Sequence, residues 1–244
     1  MRVCLIICLL LAAPQLARAQ EAHRLNLSAM VATDYVSRGL SRSEGRASAG
    51  VGADLTKNDF YGGAWVSTVG GLDGEDAEVL VYGGWRPDRW GYSFDLGAIG
   101  RFYPGVDRQV SGAFLEPQAS VSQTIGPLQY GGRLVYTLRA SGLPGVAPPA
   151  PSERGDGLYL ELNGAYDLTR KLNASAAVGR QDNSYDALDR AGRRSTASFD
   201  TWNLGVAYDL NDHLNLDLRY WDTDAHGLGA NYRSRLVGSL TAIF

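Results

Sequence analysis

The sequence predicts an all-β chain, a transmembrane antiparallel up-and-down β-barrel of about twelve strands with short turns at one rim and longer loops at the other. Three observations lead there. Apolar and polar residues alternate with period two along most of the chain, as they do in strands whose two faces meet different surroundings. Turn-forming residues separate these runs at alternately short and long intervals. One face of the runs carries too much charge for a dry core, while the other is apolar and bounded by aromatic rings.

The chain opens with MRVCLIICLLLAAPQLARA, residues 1–19. Arg2 supplies a charged start, Val3 to Ala13 an apolar run, and Ala17-Arg18-Ala19 a small-x-small cleavage site, the three parts of a secretory signal. The run falls short of the roughly 20 apolar residues that a spanning helix needs. Cleavage leaves Gln20 to Phe244, 225 residues, read as a single domain because no loop resembles an interdomain linker. Both cysteines, Cys4 and Cys8, leave with the signal, so the mature chain enters an oxidising compartment with no disulfide, no thiolate ligand and no lipidated cysteine. Loss of Arg2 and Arg18 leaves 21 basic against 26 acidic residues, a net charge of −5 that argues against a nucleic-acid partner. No later stretch is apolar for long enough to form a transmembrane helix. Thirty Gly and 13 Tyr, set among short alternating runs, read as strands with tight turns.

Twelve runs follow in order. RLNLSAMVATDY places Leu25, Leu27, Ala29, Val31, Thr33 and Tyr35 opposite Arg24, Asn26, Ser28, Met30 and Asp34. RASAGVGADLT places Ala47, Ala49, Val51, Ala53 and Leu55 opposite Arg46, Ser48, Gly50, Gly52 and Asp54. Clear alternation continues over residues 78–86, 92–102, 128–139, 158–168, 172–181, 201–210 and 214–223. Two runs are weaker, since 60–69 is apolar on both faces and 113–125 contains Pro117. The last run, RSRLVGSLTAIF, alternates to the final residue, Phe244. Twelve is an even number, which puts both termini on the periplasmic side. Five connections are tight: residues 57–59, 87–89, 126–127, 169–171 and 211–212. Six are long: residues 36–45, 70–77, 103–112, 140–157, 182–200 and 224–232.

A soluble sandwich or lipocalin-like barrel would alternate too, but it fills its interior with apolar groups. Here one face carries Arg101, Arg133, Glu161, Asn163, Asp217 and Arg219. The other carries Leu, Val, Ala and Gly, with Trp85, Tyr92, Tyr130, Tyr166, Tyr208 and Phe244 near the short turns. Tyr35, Phe102, Tyr136, Trp202 and Tyr220 stand near the long loops. Two aromatic girdles around an apolar band match the two interfaces of a bilayer, and in lipid the sheet must close to pair its backbone groups.

The segment DYVSRGLSRSEG (34–45) resembles the opening of the TorF-type porins, a family of largely uncharacterised outer-membrane proteins. FYGGAWVS (60–67), LGAIGRFYPG (96–105), WNLGVAYDL (202–210) and LRYWDTD (218–224) resemble further parts of that family in the same order. The resemblance implies a porin-like barrel in the bacterial outer membrane, with no settled substrate and no catalytic residue. A terminal Phe, here Phe244, resembles the signal read by barrel-insertion machinery after delivery by periplasmic chaperones.

Asp34, Arg38 and Ser41 fall at the top of the first strand and in the first long loop. One reading is an Asp34–Arg38 pair that holds this loop inward as a constriction; the other is a loop anchor without a role in transport. Gly39 is the position where that loop needs a positive φ. The inward charges are Arg24, Arg46, Arg86, Arg101, Arg133, Arg139, Arg219 and Arg235 against Asp34, Asp54, Glu78, Asp95, Glu116, Glu161 and Asp217. Arg101, Arg133, Arg219, Asp95, Glu161 and Asp217 are the candidates to line a pore, because rings of charge set ion preference. The near balance of sign leaves two outcomes open, a narrow conducting pore and a lumen plugged by paired side chains. Among the three histidines, only His226, near Asp222 and Asp224, sits in an outer loop where a surface hydrolase would need a base. The expectation is a passive channel for small hydrophilic solutes or ions, embedded in outer-membrane lipid, with no enzyme activity, cofactor or metal. The alternatives are a non-conducting barrel whose outer loops bind a ligand or surface partner, and a loop-based hydrolase.

Overall fold

A computed structural model of the chain describes residues 24–70, 76–104, 113–140, 155–183, 186–188, 194–196 and 198–244. The expected signal, residues 1–19, and most of the proline-rich loop lie outside the described residues. Twelve long strands form: β1 (Arg24–Ala32), β2 (Ser48–Lys57), β3 (Phe60–Thr68), β4 (Ala77–Trp85), β5 (Tyr92–Phe102) and β6 (Ala113–Ile125). They continue as β7 (Leu128–Ala140), β8 (Gly155–Asp167), β9 (Leu172–Asn183), β10 (Phe199–Asp209), β11 (Leu214–Thr223) and β12 (Arg235–Ile243). Each pairs antiparallel with its sequence neighbours, and β1 pairs with β12 from Ser28↔Ile243 to Ala32↔Ser239, so the ring is closed. Closure leaves no open sheet edge along the barrel, the condition for exposing such a sheet to lipid. Phe244 extends the seam through two backbone bonds, its N–H donating to Leu27 O at 2.9 Å and its O accepting from Leu27 N at 3.1 Å.

Pro117 sits inside β6 without disrupting it. The β6–β7 ladder runs to Gln118↔Val135, lapses over residues 116 and 117, and resumes at Leu115↔Leu138 in the same register. The missing proline N–H coincides with that lapse. The expected tight turn at 87–89 is displaced: Asp88–Arg89 pairs with Ser93 and Tyr92, and the chain reverses at Trp90–Gly91, both with positive φ (55° and 80°). A primed two-residue turn matches strand twist better than a turn through Pro87.

The pleat sorts the side chains as the alternation predicts. Leu96, Leu134, Leu160 and Leu218 point outward and are 40–51% exposed, whereas Arg101, Glu161 and Arg219 point inward and are 6–8% exposed. The outward rims carry Trp85, Tyr92, Tyr130, Tyr166 and Tyr208 at one end and Phe102, Tyr136, Trp202 and Tyr220 at the other. Tyr35 departs from its expected place in the second rim. β1 ends at Ala32, the backbone bends at Thr33–Asp34, and Tyr35 is buried inside with its hydroxyl donating to Glu78 at 2.7 Å. The bend breaks the parity that ordered the rest of the run.

The interior also holds apolar groups. Met30, Ala32, Tyr35, Trp65, Leu80 and Tyr82 pack against one wall, while Leu40, Phe199, Leu228 and Tyr232 form a second cluster with Phe114. Two single-turn 3₁₀ segments, His226–Leu228 and Ala230–Tyr232, bring the last two of these residues into the mouth.

Candidate functional site: a hairpin across the barrel interior

The first long loop does not lie over the rim. Val36–Ser37 pairs with Leu40–Ser41 to make a miniature hairpin, and all four residues are buried. Its tip is Arg38–Gly39, with φ of 52° and 79°, so the glycine takes the left-handed region as the sequence suggested. Asp34 ties the base. Its Oδ1 accepts from the hydroxyls of Ser41 and Ser43, each at 2.7 Å, and its Oδ2 accepts from Arg235 Nη1 on β12 at 2.6 Å. Asp34 and Arg38 therefore do not pair with each other. The carboxylate is already filled by hydroxyls beside it and by a strand that only closure brings near.

Arg38 reaches the far wall. Its Nη2 lies 2.7 Å from Glu116 Oε2 on β6, a strand nearly opposite β1 in the ring. Its guanidinium also stands 5.5 Å from the Tyr159 ring centre on β8. Gly39 abuts Thr201 of β10 and Thr223 of β11, where a β-carbon would lie 2.1 Å from Thr201 Oγ1. The hairpin thus spans the barrel interior from β1 to β6, β10 and β11. This close approach requires glycine at the tip as much as the turn does.

A chain of charge-assisted bonds surrounds it. Arg101 on β5 bridges two carboxylates, through Nη1 to Glu78 Oε2 and through Nη2 to Glu116 Oε2 at 3.1 Å. Glu78 is fully buried and also accepts from the hydroxyls of Tyr35 and Tyr103 at 2.7 and 2.6 Å. Glu116 also accepts from Thr137 at 2.8 Å. Burying these carboxylates is tolerable because each keeps a guanidinium and hydroxyl donors.

Nearer the short turns, Asp95 pairs with Arg86 at 2.9 Å and accepts from the Tyr61 hydroxyl at 2.8 Å. Asp54 accepts from the Tyr82 hydroxyl at 2.6 Å. Arg133 pairs with Glu161 at 3.2 Å beside Tyr159, whose hydroxyl also donates to Glu161 at 2.7 Å. Arg219 pairs with Asp217 at 3.0 Å and donates to Asn203 and Ser175.

The six residues singled out in the strands all face the interior, and each is committed to an ion pair. They are not one ring. Asp95 belongs with Arg86, Glu161 with Arg133, Asp217 with Arg219, and only Arg101 contacts the Glu116 that anchors the hairpin. Arg46 is not inward as expected; it lies exposed beside Glu44 at 2.9 Å, because β2 begins only at Ser48. The side chain of Arg139 lies outside the described residues. Period-two reasoning did not single out Arg42, Trp65, Tyr103 or Tyr159, all buried inside. Trp65 carried a signal, as it lies in the one run that is apolar on both faces.

In the outer loop, His226 Nε2 lies 2.6 Å from Asp222 Oδ1, and Asp222 also accepts from the Thr223 N–H and the Tyr220 hydroxyl. Asp224 accepts from Asp200 N instead of meeting the histidine. Among the described residues, no group of three acidic, histidine or cysteine side chains is placed to hold a metal ion.

The chain resembles solved outer-membrane channels. The NanC porin shares 12% identity at a TM-score of 0.58, with 90% of this chain and 98% of that one covered. The COG4313 outer membrane channel from Pseudomonas putida F1 shares 10% identity at a TM-score of 0.55, with 96% of this chain and all of that one covered. These likenesses show the fold, a closed twelve-strand antiparallel β-barrel resembling those of outer-membrane channels. No curated protein sequence matches the chain. The model of one sequence family matches residues 16–242, nearly the whole length, and the chain belongs to that family, Gcw_chp, of bacterial proteins of unknown function.

Proposed function

We propose that the chain is an outer-membrane porin that lets small hydrophilic solutes or ions diffuse passively along its charged interior, with the first-loop hairpin as the constriction. The observation that carries this reading is the separation of faces at adjacent positions. Arg133 faces the interior and pairs with Glu161, while Leu134 faces outward, and the same parity holds at Arg219 and Leu218. A polar interior inside an apolar exterior is what a water-filled path through lipid requires. The ordered resemblance to TorF-type porins supports the same reading. In this role Arg101, Arg133, Arg219, Asp95, Glu161 and Asp217 line the path, Asp34 and Arg38 hold the constriction, and transport needs no cofactor or covalent step. Phe244, paired with Leu27 at the seam and 72% exposed, serves as the insertion signal for the barrel-assembly machinery. Residues 1–19 serve as the cleaved leader.

One observation favours a second reading, a barrel closed to solutes whose outer loops bind a partner. Trp65, Glu78, Tyr159 and Tyr232 are at most 1% exposed, so the outer half of the interior is densely packed. Recording from purified, folded protein in a planar bilayer separates the two. Reproducible current steps in salt support the channel, and a folded but silent barrel overturns it in favour of the closed form.

A further inference from the structure

The hairpin network holds more positive charge than it uses. Arg38, Arg42 and Arg101 face two carboxylates, Glu78 and Glu116, and all four carboxylate oxygens already accept a bond from a guanidinium, tyrosine or threonine. Arg42 is the surplus cation. It is 7% exposed, and among the described residues its one side-chain hydrogen bond is a long 3.5 Å contact to the Tyr103 hydroxyl, whose proton already goes to Glu78. The Nε groups of Arg42 and Arg101 are both buried without a partner among the described residues.

The Arg42 backbone is fixed as well. Its N–H donates to Tyr35 O and its O accepts from Gly70 N, both at 2.7 Å. Among the described residues, the neighbouring carboxylates are committed elsewhere: Asp34 to Arg235, Glu44 to Arg46, and Glu161 to Arg133. Towards the short turns, Asp95 and Asp217 have their own arginines, and Asp54 accepts from the Tyr82 hydroxyl. A guanidinium carries five N–H donors and no acceptor, so its spare donors need an acceptor from outside the network. A buried, uncompensated cation has the same requirement.

We propose that Arg42, with Arg101 beside it, is an anion-binding step in the constriction and that it selects small carboxylate-bearing solutes over cations. A planar carboxylate suits it, because two parallel N–H···O bonds match the guanidinium fork. Bonds to a fixed cation at the narrowest point also let an anion shed part of its hydration there, which a cation cannot do. This inference rests on the channel reading.

The test is the reversal potential of the protein in a planar bilayer under a tenfold KCl gradient, repeated with potassium acetate. We expect the sign that marks anion preference in both salts. We expect Arg42→Gln to lower the anion-to-cation permeability ratio several-fold and Arg42→Lys to retain most of it. Folding of each variant is checked by heat-modifiable mobility on gels. A conducting wild type with cation preference overturns the inference and leaves the channel standing, as does a folded Arg42→Gln with unchanged selectivity. A silent wild-type barrel overturns the channel reading itself. If Arg42→Gln does not fold, the wild-type sign and the Arg42→Lys ratio still decide.

Discussion

Adding a single methyl group at the hairpin tip tests whether the first loop is the constriction. In Gly39→Ala the new β-carbon would sit 2.1 Å from Thr201 Oγ1, 2.9 Å from Thr201 Cβ and 2.8 Å from Thr223 Cγ2. Ordinary contact begins near 3.4 Å, so tip and wall must separate by more than 1 Å. The left-handed φ of 79° adds about 1–2 kcal/mol for a residue with a β-carbon. Overpacking at such a contact costs about 1–3 kcal/mol. Keeping the hairpin docked would therefore cost about 2–5 kcal/mol. The strongest bond holding the tip in the interior is Arg38 to Glu116 on β6, and a bond of this charged kind is worth about 1.5–3 kcal/mol. The two sides are comparable, so the tip should leave the wall in a large share of molecules. Single-channel conductance should rise, and the urea midpoint of unfolding should fall. Thr201→Ala removes the closest contact and should restore part of both, with a coupling above about 0.5 kcal/mol in the double-mutant cycle. Unchanged conductance and an unchanged midpoint in Gly39→Ala would show that the tip does not rest on this wall and would refute the constriction.

Three further outcomes follow from the same geometry. Cysteines placed singly at 133 and 134, in a chain with no cysteine after Cys8, should differ in liposomes. A water-soluble thiol reagent should label 133 and spare 134, and the reverse pattern would mean a register slipped by one residue. Glu116→Ala leaves Arg38 and Arg101 without a shared acceptor, so it should destabilise the barrel by about 3–5 kcal/mol, measured by urea unfolding. A loss below about 1 kcal/mol would mean that water replaces the carboxylate. Deleting Phe244 removes two backbone bonds to Leu27 and an outward ring. Outer-membrane levels should drop and periplasmic degradation should rise, and normal surface levels would count against an insertion signal.

The strand number, the even count and the side-chain faces were all legible in the sequence. Alternation is a property of neighbouring residues, and the pleat converts it directly into inside and outside, as at Arg133 and Leu134. The tight turns were legible for the same local reason, except where Trp90–Gly91 took the reversal expected at Pro87–Arg89. The hairpin was only half legible. Its place and its glycine followed from the loop's own residues, but its inward course was one of two readings, and the partners of Asp34 and Arg38 were not legible. Asp34 meets Arg235, 201 residues away, and Arg38 meets Glu116, 78 residues away. Tyr35 was misplaced because a bend after Ala32 resets the parity, and no local pattern announces such a bend. Side-chain parity depends on the residues within one strand, so the sequence by itself determined which side chains of the regular strands enter the barrel. Which of them meet there depends on ring closure and on where the first loop docks, and only the tertiary structure brings those distant residues to one place.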